Sequence, residues 1–142
     1  IQDPGNLGTM FRAGEGAGID GVIMTQNTVD IFNPKVVRST MGSIYRIPFM
    51  ITSDILQTIM DLKAGGVTVY AAHLKESADY DLQDYTKPTA FLIGNEANGL
   101  KDETADMADC YIKIPMKGQV ESLNAAVASS VLMYEAARQN KA

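Results

Sequence analysis

The sequence predicts a single α/β domain with a mostly parallel sheet of about five strands and helices on both faces. Short apolar runs alternate with longer segments of helical periodicity along the 142 residues. Two of these runs end abruptly in polar or proline-containing turns, as strands of open parallel sheets do. The chain length suits one hydrophobic core, so we expect one domain.

The first element predicted is a helix that follows a turn. Pro4 and Gly5 suit the centre of a tight turn, and Asn6 then falls where a helix N-cap belongs. Gly18 is placed to end the helix. Arg12 lies in its middle, where the residues alone indicate a solvated face. Three apolar residues have helical spacing: Leu7, Met10 and Phe11.

A strand at 21–24 comes next, and the segment 35–49 then mixes cations with apolar residues. This segment predicts a short helix followed by a short strand. Its three cations are Lys35, Arg38 and Arg46, and the simplest interpretation is that all three are solvated.

An amphipathic helix at 53–63 and a strand at 67–72 continue the alternation. The helix residues expected to face the sheet are Ile55, Leu56, Ile59, Met60 and Leu62. His73 follows the strand, and we expect it to be a loop residue. The acidic segment 75–87 predicts a solvated loop.

The centre of the chain is the segment 89–100, where an apolar run at 90–93 switches at once to a polar turn. The turn contains Gly94, Asn95 and Glu96, with a second glycine at Gly99. Ligands of open parallel sheets bind beyond the carboxyl ends of strands, so this turn is a candidate binding loop.

The same pattern recurs at the last predicted strand, 111–114, which Pro115 terminates. We therefore expect the exits of these two strands, taken as neighbours, to form two walls of one crevice. Cys110 opens this strand and is expected to be packed rather than reactive. Between the two strands, 101–108 predicts one or two helical turns.

The last helix is expected to run from about Ser122 to Gln139. It has no charged side chain between Leu123 and Tyr134, and it is rich in alanine and serine. A helix without a polar face is usually buried on more than one side, so we expect it to pack on its own sheet and on a second subunit. Burial entirely within one domain is the alternative.

Several kinds of chemistry have no support in the sequence. The single histidine and single cysteine offer neither metal-ligand spacing nor a nucleophile paired with a base. The run GEGAG at 14–18 fails as a dinucleotide fingerprint, since its third glycine is one residue early and a helix precedes it. We expect no metal, and a transfer reaction in which a bound reagent supplies the reactivity.

Composition indicates a soluble protein, because no apolar run approaches the roughly 20 residues that span a bilayer. One cysteine excludes an internal disulfide and fits a cytoplasmic location. The net charge of −5 counts against RNA binding by this domain alone. Because the chain opens at Ile1 on a predicted turn, we expect it to be a domain of a longer protein.

Three motifs resemble those of the SpoU (TrmH-like) RNA methyltransferases of the SPOUT superfamily, in the family order. DPGNLGTMFRAGEGAG at 3–18 looks like motif 1, whose asparagine and arginine would be Asn6 and Arg12. GNEANGL at 94–100 looks like motif 2, and IPMKGQVESLNAAVA at 114–128 looks like motif 3. The resemblance implies a deep trefoil knot formed by the C-terminal segment.

The resemblance also implies a cofactor and an acceptor, namely S-adenosylmethionine and a ribose 2′-hydroxyl of RNA. Ribosomal RNA is the first expectation and transfer RNA the second. The cofactor contacts implied by motif are Gly94, Asn95, Ile114, Met116, Ser122 and Leu123. Glycine admits close approach of a ligand, and two aliphatic side chains can sandwich an adenine ring.

The catalytic residues implied by the resemblance are Asn6, Arg12, Glu96 and Asn124. A guanidinium is protonated under nearly all conditions, so we favour Arg12 as a clamp for phosphate or developing oxyanion charge rather than as a base. Asn6, Glu96 and Asn124 would orient the substrate and the turns. Glu96 as general base is an alternative.

Because the chain is acidic, RNA binding requires a separate source of positive charge. One is a basic face formed by Arg12, Lys35, Arg38 and Arg46, and the other is an N-terminal RNA-binding domain absent from this chain. Two further functional classes remain: a non-catalytic RNA-binding or dimerisation module of the same fold, and an unrelated nucleotide-binding α/β enzyme. The presence of Asn6, Arg12 and the Gly94 turn weighs against the first, and the lack of a P-loop weighs against the second.

Overall fold

The computed structural model of the chain describes residues 1–73, 77–96, 98–120 and 123–141. In these ranges the strands are β1 (Val22–Thr25), β2 (Phe49–Thr52), β3 (Thr68–Ala72), β4 (Ala78–Asp79), β5 (Thr89–Leu92) and β6 (Cys110–Lys113). The α-helices are α1 (Pro4–Ala17), α2 (Pro34–Ser39), α3 (Ile55–Ala64), α4 (Asp102–Ala105) and α5 (Ala125–Gln139). Short 3₁₀ turns occupy Ser43–Tyr45 and Tyr80–Leu82.

The α/β class and the parallel strand direction are confirmed, whereas a single sheet of about five strands is not what the described residues form. Six strands make two sheets, β1-β2 and β4-β6-β3-β5, and the pairings within both are parallel. Each sheet has its own cluster of buried side chains, one containing Phe11 and Met24 and the other Tyr70 and Ile112. Strand and helix alternation does not determine which strands exchange hydrogen bonds, so the sequence could not separate the two sheets.

Helix α1 begins earlier than the sequence predicted. Asp3 is its N-cap, and the Asp3 carboxylate accepts the backbone N–H of Asn6 at 3.0 Å. Pro4 occupies the first helical turn, where its missing N–H costs nothing. The predicted turn at Pro4 and Gly5 and the predicted cap at Asn6 are therefore wrong, and Asn6 is free to direct its side chain elsewhere.

The strands β5 and β6 are not neighbours, because β3 lies between them. The register places Leu92 of β5 and Tyr111 of β6 on either side of Ala71. Because all three strands are parallel, their carboxyl ends lie at the same edge of the sheet. The two exits are therefore two strand spacings, about 10 Å, apart. His73 leaves β3 between them, and its N–H donates to the Ile112 carbonyl at 3.1 Å.

The acidic segment after β3 is more ordered than a solvated loop. Residues 74–76 lie outside the described ranges, but β4 then pairs with β6. Tyr85 is only 1% exposed and packs edge to face on Tyr70. Its hydroxyl donates to the Tyr80 carbonyl, so the ring completes the core while its polar atom is satisfied.

The predicted buried position at Ile59 of α3 is confirmed, because Ile59 is fully buried. Met60, also predicted to face the sheet, is 52% exposed. Adjacent helical positions point about 100° apart, so both residues cannot lie at the centre of one face. No helix of the described residues is long and apolar enough to cross a membrane.

Candidate active site

Side chains from all three motifs meet in one chain of hydrogen bonds. The Asn6 amide donates from Nδ2 to Glu96 Oε1 at 3.3 Å. Its Oδ1 accepts from Asn124 Nδ2 at 3.0 Å. Asn6 therefore bridges residues that lie 90 positions and 118 positions further along the chain. We call this set of three side chains the Asn6 network.

Glu96 is held by the start of the chain as well as by Asn6. Its carboxylate accepts the backbone N–H groups of Gln2 at 3.0 Å and Asp3 at 3.4 Å. Partial burial acts to raise the pKa of Glu96, but these bonds, with its own N–H and the Asn6 amide, outweigh it and lower the pKa to about 2. A carboxylate with so low a pKa is a weak proton acceptor, which argues against Glu96 as general base.

Asn124 has two functions in the structure. Its Oδ1 accepts the backbone N–H groups of Ala126 at 2.8 Å and Val127 at 3.2 Å, which makes Asn124 the N-cap of α5. Its amide nitrogen contacts Asn6 at the same time. The final helix thus begins at Ala125 rather than near Ser122, and Ser122 lies outside the described residues.

The turn after β5 requires glycine for a reason that the sequence did not reveal. A Cβ at Gly94 would lie 2.3 Å from both the Gly99 carbonyl carbon and the Leu100 nitrogen. The turn folds back so closely that its own backbone occupies this space. Gly99 has a φ of +65°, and its N–H donates to the Asn95 carbonyl at 2.8 Å. Gly94 therefore fixes the shape of the turn directly.

The exit of β6 is apolar and extended. Ile114, Met116 and Leu123 are half-buried, and Ile114 packs against the core cluster that contains Tyr70. From residue 116 to 120 the backbone forms no backbone hydrogen bond with another described residue. This edge of the sheet thus combines apolar side chains with main-chain donors and acceptors that a ligand can use.

Arg12 is exposed on α1 and does not join the Asn6 network. It lies six positions after Asn6, which places it about 9 Å along the axis and about 120° around it. Arg12 is instead about two full helical turns beyond Gly5, so Arg12 and Gly5 lie on nearly the same face of α1. No hydrogen bond or ion pair joins the Arg12 side chain to another described residue.

The face that contains Gly5 borders the predicted RNA-binding cations. Gly5, Lys35, Arg38 and Ser39 line an open concavity of about 450 Å³. Helices α1 and α2 approach closely here, since a Cβ at Gly8 would lie 2.0 Å from the Ser39 Cβ. Lys35 and Arg38 are exposed.

Arg46 differs from the other cations because it is paired. Its guanidinium binds Glu15 through both Nε and Nη2, with Nη2 2.7 Å from Oε1. Ser43 Oγ donates to the same carboxylate at 2.9 Å. The Arg46 contact lowers the pKa of Glu15, and the pairing raises the pKa of Arg46. Arg46 is exposed to solvent, as the sequence predicted, but it is paired with Glu15.

Sequence reasoning missed the support that Gln2, Asp3 and Glu15 give to this site. Asp3 followed by Pro4 is a standard signature of a helix start, an N-cap before a proline at the first helical position, and it could have been recognised. The bonds of Gln2 to Glu96 and of Glu15 to Arg46 are long-range contacts that no local pattern encodes.

A parallel α/β domain whose three sequence motifs converge at one sheet edge defines the class of protein. The chain matches the model of the SpoU rRNA Methylase family over residues 1–134, and it belongs to that family. A relative from Bacillus subtilis, 23S rRNA (guanosine(2553)-2′-O)-methyltransferase RlmP, is 40% identical over 134 residues, covering 94% of this chain and 54% of the relative.

Solved structures agree with this assignment. The AdoMet-bound rRNA methyltransferase from Sinorhizobium meliloti has a TM-score of 0.90 and 38% identity, over 99% of this chain and 54% of that chain. The SpoU methyltransferase AviRb from Streptomyces viridochromogenes, in complex with AdoMet, has a TM-score of 0.88 and 33% identity, over 97% and 56%. The chain spans about half the length of these relatives.

Proposed function

We propose that this chain is the catalytic domain of an S-adenosylmethionine-dependent RNA methyltransferase that modifies a ribose 2′-hydroxyl of ribosomal RNA. The observation that carries the proposal is the Asn6 network, in which Asn6 of the first family motif contacts one residue of each of the other two motifs. The activity named for the Bacillus subtilis relative supports ribosomal RNA as the substrate.

The residues at the two strand exits fit the adenosyl cofactor. Half-buried Ile114 and Leu123 offer apolar walls, and the backbone at 116–120, which has no backbone hydrogen bond to another described residue, offers polar partners. Bound there, S-adenosylmethionine would supply an electrophilic methyl group. The residues we propose to hold it are Gly94, Asn95, Ile114, Met116, Ser122 and Leu123.

The Asn6 network would position the acceptor and the turns rather than move a proton. Asn6 and Asn124 satisfy each other and are fixed at both ends, so they form a rigid polar wall. Glu96, anionic at neutral pH, would keep the Asn6 amide oriented. Arg12, exposed and unpaired among the described residues, would clamp an RNA phosphate or stabilise charge that develops on the attacking oxygen.

We also propose that the active form is a homodimer with its cleft at or near the interface. Val127 and Tyr134, seven residues apart on one face of α5, are 48% and 51% exposed. Tyr134 reaches α1, since its hydroxyl oxygen would lie 2.4 Å from a Cβ at Gly16. A face built jointly from α1 and α5 with exposed apolar side chains suits a second copy.

The trefoil knot belongs to the same proposal. Strand β6 lies between β3 and β4, both of which precede it in the chain. The C-terminal segment therefore returns to the interior of a sheet whose flanking strands are already in place. A strand can enter between two earlier strands without threading a loop, so the proposal of a knot rests on the family resemblance and not on this strand order.

The test is a calorimetric titration with S-adenosylhomocysteine, followed by methyl transfer from radiolabelled cofactor to separated RNA fractions. The experiment uses the whole chain of 142 residues. We expect S-adenosylhomocysteine to bind and the label to appear in a ribose of ribosomal RNA. Label in transfer RNA instead would identify transfer RNA as the substrate. Binding without transfer to any RNA would favour a non-catalytic module, and absence of binding would contradict the proposal.

Arg12→Ala should abolish methyl transfer while S-adenosylhomocysteine affinity stays within a few-fold, because Arg12 is not among the residues proposed to hold the cofactor. Lys87→Ala, which removes an exposed cation from the loop before β5, is the matched control and should retain activity. Unchanged turnover of Arg12→Ala would remove this residue from the mechanism.

A further inference from the structure

We propose that the surface around α2 is a platform for single-stranded RNA, on which unpaired bases stack against Tyr45 and Phe32 while phosphates contact Lys35 and Arg38. We call these four side chains the α2 platform. The inference rests on the proposed RNA methyltransferase function and specifies the form of RNA that the domain takes.

The two rings are unusually exposed for aromatic side chains. Tyr45 is 80% exposed and Phe32 is 66% exposed, and Met41 between them is also 66% exposed. All three lie within 14 positions of one another in the segment that carries the basic helix α2, two of them after the helix and one before it. No hydrogen bond or ring contact joins the Tyr45 side chain to another described residue.

Phe32 is held in place while its face stays open. Its ring meets Phe49 edge to face, with centroids 6.2 Å apart. Its N–H donates to the Asp30 carboxylate at 2.9 Å, and Asn33 next to it is the N-cap of α2. A ring fixed in this way loses little conformational entropy when a base stacks on it.

The Arg46 side chain supports the turn that carries Met41 and Tyr45. Met41 and Gly42 both have positive φ, at +52° and +93°, and Met41 is the one such residue in the described chain that is not glycine. The Arg46 guanidinium covers this turn, since a Cβ at Gly42 would lie 2.9 Å from Arg46 Nη1. Glu15 fixes that guanidinium from α1. Arg46 thus supports the platform, while Lys35 and Arg38 are left to contact phosphate.

Unpaired cations and exposed rings together favour nucleic acid in a single strand. Lys35 and Arg38 lie three residues apart on α2, and neither forms an ion pair with a described carboxylate. Exposed aromatic rings beside unpaired cations are the combination that binds single-stranded RNA, because rings stack on bases and cations neutralise the backbone. Bases in a duplex hide their faces within the stack, so a duplex could use only the cations.

The experiment is fluorescence anisotropy of the full chain with a short fluorescein-labelled single-stranded RNA, compared with the same sequence in a duplex. The single strand should bind more tightly. Tyr45→Ala should weaken single-strand binding about tenfold, and Tyr45→Phe should retain it, since stacking needs the ring and not the hydroxyl. Leu82→Ala, at a residue that is 77% exposed on another part of the surface, is the control and should change nothing.

The cations are tested by the salt dependence of binding. Replacing both Lys35 and Arg38 with alanine should reduce the slope of log affinity against log salt by about 1.4 for a single strand. Tyr45→Ala should leave that slope unchanged, because it removes stacking and no charge. The two variants therefore separate the two parts of the α2 platform.

Four results would overturn the inference: equal binding of duplex and single strand, unchanged binding by Tyr45→Ala, no RNA binding by the chain, or a lower mass of Tyr45→Ala in sedimentation. The last would identify this face as a contact between copies. S-adenosylhomocysteine binding, measured on the same samples, stays intact if only the α2 platform is wrong. Loss of cofactor binding by the wild-type chain would instead contradict the proposed function.

Discussion

The replacement Asn6→Asp is the most selective perturbation of the Asn6 network. It keeps Oδ1, which accepts from Asn124, and changes only the Nδ2 end, which donates to Glu96. The new carboxylate oxygen would face Glu96 Oε1 across the present 3.3 Å. A hydrogen bond becomes a repulsion between two anions, with almost no change in shape.

The size of the effect follows from this distance. Two unit charges 3.3 Å apart repel by about 1 kcal/mol in bulk water and by about 5 kcal/mol at an effective dielectric constant of about 20. Glu96 is exposed and Asn6 half-buried, so the lower half of that range applies. With about 1 kcal/mol for the lost hydrogen bond, Asn6→Asp should lose about 2–4 kcal/mol of unfolding free energy at neutral pH.

The assay is urea unfolding at pH 7 and pH 4 of four proteins: wild type, Asn6→Ala, Asn6→Asp, and Asn6→Asp with Glu96→Gln. Asn6→Ala removes both side-chain hydrogen bonds but introduces no repulsion, so it should lose about 1–2 kcal/mol. Repulsion raises the folded-state pKa of the pair above its unfolded value. The free energy of unfolding of Asn6→Asp should therefore increase as pH falls from 7 to 4. Adding Glu96→Gln to Asn6→Asp should restore most of the lost stability at pH 7.

Asn27→Asp, which adds the same charge at an exposed loop position, controls for extra negative charge on an acidic chain. The reasoning fails if Asn6→Asp is no less stable than Asn6→Ala at pH 7. It fails equally if Glu96→Gln gives no rescue, because the two side chains would then not be in contact.

Two further outcomes follow from the same geometry. Gly94→Ala should lower the free energy of unfolding by about 1–3 kcal/mol through overpacking and should weaken binding of the cofactor analogue. Gly118→Ala, with nothing within 4 Å of its Cβ, is the control and should change neither. Equal melting temperatures of the two variants would refute the prediction for Gly94. Since the pKa of Glu96 is lowered to about 2 from 4.5, its stabilising contribution should be present above pH 4.5 and disappear as pH falls toward 2. Glu96→Gln should lack this component, and identical acid unfolding profiles for the two proteins would show that the carboxylate bonds are absent in solution.

Local patterns predicted much of the fold, and the family resemblance supplied the candidate site residues. The polar turn after β5 and the proline after β6 mark strand ends at one sheet edge, and the structure places both exits there. The resemblance named Asn6, Glu96 and Asn124, and the structure brings them into contact. Apolar runs also located β1, β3, β5 and β6, with boundaries within one residue. They missed β4, which lies in the segment predicted as a loop, and β2 begins only at the last residue of the segment predicted to contain it.

What the sequence could not supply were contacts between distant segments. No pattern shows that β3 separates β5 from β6, that Tyr85 fills the core, or that Glu15 holds Arg46. The misplaced start of α5 has a related cause, because serine and asparagine are both good N-caps and only tertiary contact with Asn6 selects Asn124.

The most direct test of the central claim is an NMR titration of the isotope-labelled chain with S-adenosylhomocysteine. If the exits of β5 and β6 form one cofactor site, amide shifts should concentrate at 94–100 and 114–124, with smaller changes at Asn6 through its hydrogen bonds. Shifts confined to other surfaces, or to only one of the two exits, would contradict the account.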